Sequence, residues 1–234
     1  TSETISGIWN VAYGYDGVGN RTNRLSSMGQ IPSSTNSYSA NDGLRTDAYD
    51  NNGNTLWSTN GAVGGPYGYD VENRLTTLGS GAVRYIYNGD GVRLAKSVVT
   101  SGGPSGNTTN TTYFLVDDRN PTGYAQVLEE HESVDSQTPV LRRVYAYGVA
   151  LVSQREAGGT TYYFASDGHG STRLLLDGSG AVVNAFAYDA YGTLIASNAA
   201  PQTVYLYTGE PWDSDLAQYY LRARTYNPGT GRFP

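Results

Sequence analysis

Aromatic and apolar positions along this chain recur two apart in short runs, and each run ends on a turn-forming residue. Tyr13-Gly14-Tyr15 leads into Asp16-Gly17-Val18-Gly19-Asn20-Arg21. Ala48-Tyr49 leads into Asp50-Asn51-Asn52-Gly53-Asn54, and Tyr67-Gly68-Tyr69 into Asp70-Val71-Glu72-Asn73-Arg74. Tyr85-Ile86-Tyr87 leads into Asn88-Gly89-Asp90-Gly91-Val92-Arg93; Tyr145-Ala146-Tyr147-Gly148 and Phe186-Ala187-Tyr188-Asp189-Ala190-Tyr191-Gly192 follow later. A period of two is the period of a β-strand, whose alternate side chains share a face. Each unit therefore predicts strand, turn, strand. Helix signals are almost absent. The best candidate is the run from Ala125 to Glu132, but Tyr124, Gln126 and Leu128 alternate beside Val127, which suits a strand ending in a polar loop. The stretches from Ile31 to Asp42 and from Ser101 to Thr112, rich in Ser, Thr, Asn, Gly and Pro, read as surface loops between hairpins.

The turn residues Asp16, Asp50, Asp70, Asn88 and Asp189 have a direct physical reading. Each can accept hydrogen bonds from backbone N–H groups just ahead of it. A following Gly takes positive φ without steric cost, as a hairpin requires. In the strands, Tyr13 and Tyr15, Tyr67 and Tyr69, and Tyr85 and Tyr87 form pairs of rings two apart, which predicts an aromatic ladder on one face of the sheet. The spacing between turns is loose, as expected if loop insertions separate the hairpins. The expected fold is all-β: antiparallel hairpins laid side by side in one curved, spiralling sheet, each contacting mainly its neighbours.

Composition agrees and narrows the chemistry. The 234 residues carry 30 Gly and 9 Pro, enough for many tight turns, and 21 Tyr against 4 Phe and 3 Trp, so much of the apolar mass has a polar tip. With no Cys, there are no disulfides, thiolate nucleophiles or cysteine zinc sites. The net charge of −6 and the scattered Lys and Arg argue against nucleic-acid binding. No apolar run reaches the roughly 18 residues of a spanning helix, and the first residues lack the pattern of a leader peptide. Neither cofactor nor metal is expected.

From Tyr162 onward the motifs become distinctive. Asp167-Gly168-His169-Gly170-Ser171-Thr172-Arg173 is followed by Leu174-Leu175-Leu176-Asp177-Gly178 and Tyr188-Asp189-Ala190-Tyr191-Gly192. Thr208-Gly209-Glu210 and Tyr219-Tyr220-Leu221-Arg222-Ala223-Arg224-Thr225-Tyr226-Asn227-Pro228-Gly229-Thr230-Gly231-Arg232-Phe233 complete the order. This run closely resembles the Rhs repeat-associated core of bacterial Rhs and Tc-toxin C proteins, and the upstream Tyr-Asp units extend the resemblance over nearly the whole chain. The division expected is 1–160 for the hairpins and 161–234 for the core-like segment, continuous with the same sheet. The resemblance implies a secreted or cell-surface bacterial protein, non-enzymatic in this stretch, whose hairpins build a shell around a toxic polypeptide lying C-terminal to it. In many relatives the core also cleaves its own chain, using an Arg that Arg232 matches and aspartates downstream. Such cleavage requires a chain that continues past Pro234.

Other readings of single residues are weaker. His131 in Glu129-Glu130-His131-Glu132 suggests a metal cluster, but a uniformly polar run reads as a solvated loop or strand end. Asp167, His169 and Ser171 sit within one Gly-flanked turn, whereas a catalytic triad is assembled from separate elements. The Asp-x-x-Gly turns offer too few oxygens for calcium. Rows of Tyr can stack sugars, yet repetition in every unit favours cross-strand packing. A glycan-contacting adhesion module, or a filament of further copies joined through open strand edges, remains an alternative to the shell.

Overall fold

The computed structural model describes residues 2–5, 9–59, 65–102 and 106–234. Strands dominate, and among the described residues helical structure is confined to one 3-10 turn at Tyr207–Gly209. Strands β1 (Ser2–Ile5), β2 (Trp9–Tyr15), β3 (Arg21–Ser26) and β4 (Ser34–Thr35) form a four-stranded sheet in chain order. A fourteen-stranded sheet follows, also in chain order. It opens with β5 (Ala48–Tyr49), β6 (Thr55–Ser58), β7 (Gly65–Tyr69), β8 (Leu75–Leu78), β9 (Val83–Tyr87), β10 (Arg93–Thr100) and β11 (Thr108–Asp117). It continues through β12 (Gln126–Val134), β13 (Val140–Tyr147), β14 (Leu151–Glu156), β15 (Thr161–Ser166), β16 (Thr172–Leu176), β17 (Val182–Tyr188) and β18 (Leu194–Ser197). A third sheet holds β19 (Trp212–Asp213), β20 (Gln218–Leu221) and β21 (Arg224–Tyr226). Every named pairing is antiparallel between consecutive strands, the meander that the hairpin units predict.

The curvature has a local cause. In the Tyr-Asp hairpins the register slips by one residue just before the turn, between Gly14 and Tyr15, Gly68 and Tyr69, Ala146 and Tyr147, and Ala187 and Tyr188. A β-bulge bends its strand and raises the local twist, so the same irregularity in successive hairpins bends the sheet progressively. The two far ends of the chain consequently meet. Tyr13 on β2 donates its hydroxyl to Asp189 just beyond β17 at 3.3 Å, and the Tyr15 and Tyr191 hydroxyls lie 2.6 Å apart. Val11, Tyr13, Met28 and Ile31 form a core cluster against Tyr191 and Ile195.

Two further clusters lie where the last residues fold back against the sheet. Leu216 packs with Tyr67, Leu78, Val83 and Tyr85 of β7 to β9. Leu206 and Tyr219 pack with Leu175, Phe186 and Tyr188 of β16 and β17. Each hairpin contacts mainly its neighbours, as expected, and the C-terminal segment in addition stitches distant hairpins together. Residues 161–197 continue the large sheet, whereas 212–226 form a sheet of their own.

Three local expectations also change. The run from Ala125 does not end in a polar loop; β12 continues through Glu129, Glu130 and His131 to Val134, because β11 and β13 pair with it on both sides. The expected loop from Ser101 gives way to β11 at Thr108, its residues 103–105 lying outside the described ones. The stretch from Ile31 to Asp42 contributes β4, and Tyr38 bridges to Leu44.

Candidate functional site

The hairpin turns share one geometry. At Asp16 the Oδ1 atom accepts the N–H groups of Val18 (3.1 Å) and Asn20 (2.9 Å), while Asp16 N–H donates to Asn20 O. Asp50, Asp70, Asn88 and Asp189 repeat it, as do Asp167 and Asp177. The residue three beyond has positive φ: Gly19, Gly53, Gly91, Gly170, Gly180 and Gly192, with Asn73 at 60° in the turn of Asp70. Asn tolerates this left-handed conformation better than most residues.

These turns set a pH response. The Asp16, Asp50 and Asp177 carboxyls are held below the ordinary range, first by the side chains of Asn20, Asn54 and Ser179. For Asp70 and Asp167 burial pulls upward, but hydrogen bonds from Arg74, and from Arg173 with the turn amides, prevail and lower them. A carboxyl with a depressed folded-state pKa stabilises the fold above its unfolded pKa and loses that contribution as pH falls through the folded value. Asp47 titrates the other way, since burial pushes it up despite hydrogen bonds from Ser58 and Thr46. The melting temperature is expected to drop steeply as pH falls below about 4, the ordinary carboxylate range. A flat thermal-shift profile from pH 5 to pH 2.5 would remove the turn carboxylates from that role.

The aromatic pairs do not form a continuous exposed row. Tyr13, Tyr67 and Tyr85 are buried, Tyr69 and Tyr87 half-buried, and Tyr15 is exposed. The Tyr87 hydroxyl donates to Leu75 O, and that of Tyr85 to Asp213. Tyr67, Tyr69, Tyr85 and Tyr87 share one face, but as core residues around Leu78, Val83 and Leu216.

Between the large sheet and the C-terminal sheet lies a cavity of about 670 Å³. Phe114, Phe164, Tyr205, Trp212 and Tyr220 line it together with Glu130, Arg143 and Arg222. Its polar groups are committed to each other. Arg143 bridges Glu130 (3.2 Å) and Glu156 (2.7 Å), and the Tyr145 hydroxyl donates to Glu130 at 2.7 Å. Arg222 pairs with Glu210 at 2.8 Å and donates to Ala125 O. At one end Asp213, 2% exposed, receives Arg93 at 3.1 Å and also Lys96. Burial alone would raise the Asp213 carboxyl, but Lys96 and Arg93 outweigh it and hold it below the usual range. The arrangement can anchor one layer on another.

Arg232 donates to Asn20 Oδ1 and to Asp42 O, both at 2.6 Å, and lies over the ring of Tyr38. It borders a cavity of about 350 Å³ with Asp42, Asp47, Asp50 and Pro234. His131 lies in mid-strand rather than in a loop, its Nε2 2.8 Å from Glu129. His169 sits in its turn with its ring edge on Tyr207, while Ser171 Oγ accepts Thr208 N–H. Among the described residues no three His, Cys, Asp or Glu side chains gather as a metal would need, and no helix is long and apolar enough to cross a membrane. Arg93, Lys96, Glu130, Arg143 and Asp213 were not legible as a set, since no motif links residues more than 100 apart.

No family model matches the chain. It is 29% identical, over 95% of its length, to the tRNA3(Ser)-specific nuclease WapA of Bacillus spizizenii, and likewise to the tRNA nuclease WapA of Bacillus subtilis strain 168. It spans only 9% of each. Among solved structures, the crystal structure of TcdB2-TccC3 without its hypervariable C-terminal region matches with a TM-score of 0.74 at 20% identity, over 96% of this chain and 12% of that one. The fold is thus that of a stretch of the TcdB2-TccC3 chain, and the sequence is akin to a small part of long bacterial nucleases.

Proposed function

We propose that this chain is a wall segment of an Rhs-type shell, exported from a bacterium or held at its surface, that encloses a toxic polypeptide encoded C-terminal to it. The observation that carries this reading is the bulged, progressively bent fourteen-stranded sheet whose inner face is covered by the last residues of the same chain. A wall needs a bent sheet that its own segments tie together, and it needs no reactive centre. The nuclease activity in the WapA names belongs, on this reading, to parts of those long proteins outside the region shared here. Residues 161–234 would serve as the core that closes one end, with Arg232 tethering it to the turn of Asp16 and to Asp42. Growth through strand edges is less favoured, because the large sheet ends on β5 and β18, of two and four residues, and short edges resist strand addition.

The test is protease protection in the full natural polypeptide. The part beyond residue 234 is expected to survive trypsin while the wall is folded and to be digested once urea opens it. Equal digestion of that part in folded and unfolded samples would overturn encapsulation.

A further inference from the structure

The junction between β10 and the C-terminal sheet gathers four charged groups, with Arg93 and Asp213 out of water. Lys96 Nζ contacts Asp213 Oδ1 and lies 2.6 Å from Asp215 Oδ2. The Asp213 side chain is 2% exposed and that of Lys96 15%. On the far side of the Asp213 carboxyl, Oδ2 accepts Arg93 Nη1 at 3.1 Å and the Tyr85 hydroxyl at 3.2 Å. Asp215 N–H donates to Oδ1 at 3.2 Å. Aromatic rings seal the site, with the Arg93 guanidinium 3.8 Å from the centroid of Tyr220 and 5.4 Å from that of Phe114.

An ion pair between layers needs only the lysine and one carboxylate. Here the amine also touches a second, more exposed carboxylate, and the first carboxylate has both oxygens engaged by donors. That is the set of parts for amide formation: a nucleophile, an electrophilic carbon polarised through one oxygen, and an acid–base group reaching the nucleophile. We propose that Lys96 and Asp213 join in an intramolecular isopeptide bond that fastens the C-terminal sheet to the wall.

The step balances without an oxidant or any co-reactant. Asp215 takes a proton from the Lys96 ammonium, and the freed amine attacks Asp213 Cγ. The developing charge on Oδ2 is held by Arg93 and Tyr85. Asp215 returns that proton to Oδ1, takes the second proton from the attached nitrogen and passes it to the same oxygen, and the Cγ–Oδ1 bond breaks as water leaves. One positive and one negative charge disappear, and the Arg93 guanidinium keeps Oδ2, now an amide oxygen, and the three rings it lies over. Escape of water and loss of the Lys96 and Asp213 charges from a buried site favour the amide, against the cost of leaving Arg93 with a neutral acceptor.

Peptide mass mapping of the full natural polypeptide tests it. After denaturation and trypsin digestion, Lys96 should resist cleavage, and residues 94–119 should appear joined to residues 174–222, lighter than the two together by one water. Lys96→Arg keeps the positive charge and should release residues 94–96, 97–119 and 174–222 as separate peptides. Asp215→Asn keeps both bonded partners and should slow or abolish the link. Cleavage at Lys96 with separate, unmodified peptides in the folded wild-type protein overturns the proposal. Complete linkage in Asp215→Asn removes Asp215 from the proton transfer.

Discussion

Asp213→Ala is expected to destabilise the fold by about 3–5 kcal/mol, the range seen when one partner of a buried ion pair is removed. Arg93 is buried and lies over three aromatic rings, one of them Tyr220 of β20. Asp215 is the one other carboxylate at Lys96 and does not contact Arg93. The loss is therefore dominated by an uncompensated guanidinium rather than by a missing contact. Urea titration of the variant against wild type measures it, and a change under about 1 kcal/mol, the worth of an exposed pair, would mean that water already reaches the junction. Asp215→Asn leaves the Arg93 pair intact. It separates this electrostatic cost from any contribution of a covalent link.

The second large effect is expected at Asp189, through a contrast with its own repeats. Asp189 makes the same turn as Asp16, accepting Tyr191 N–H at 3.0 Å and Thr193 N–H at 2.7 Å. Its other oxygen, however, accepts the Tyr13 hydroxyl and faces Arg24 at 3.8 Å, with side chains 1% and 6% exposed. Burial lowers the Arg24 pKa, and neighbouring Arg21 lowers it further. Arg24 thus faces that carboxylate out of water beside a second guanidinium, Arg21, which donates to Pro228 O and Gly229 O. Asp189→Ala is expected to cost about 3–5 kcal/mol by the same logic of a stranded buried charge. Asp16→Ala, on an exposed turn, should cost a small fraction of that. Asp189→Asn keeps the turn acceptor and loses the charge, so its position between the two divides the effect. Equal losses in Asp16→Ala and Asp189→Ala would show that turn formation, and not closure against the N-terminal sheet, is the role of Asp189.

These two residues mark the limit of what can be read along the chain. The hairpins, their order and the turn chemistry are local: an Asx residue, a positive-φ residue three further on, and strands of period two need only a few neighbouring residues to be specified. The all-β fold and the meander follow, as does the likeness to Tc-toxin C proteins carried by the C-terminal motifs. The polar run at Glu129 to Glu132 shows why even strand limits drift. A strand paired on both sides tolerates residues that by themselves suggest a loop, because the ladder hydrogen bonds belong to the backbone.

The sequence by itself marked five equivalent turns, at Asp16, Asp50, Asp70, Asn88 and Asp189. Tertiary structure alone decided that Asp189 is buried against Arg24 while Asp16 is half-buried, and that Asp213 meets Arg93 across 120 positions. It also decided that Tyr67 and Tyr85 are capped by Leu216 rather than stacked in an open row. The physical reason is that small bends accumulate. Each bulge is encoded locally, but which residues finally face each other depends on the sum of all bends along fourteen strands. No short stretch of chain contains that sum.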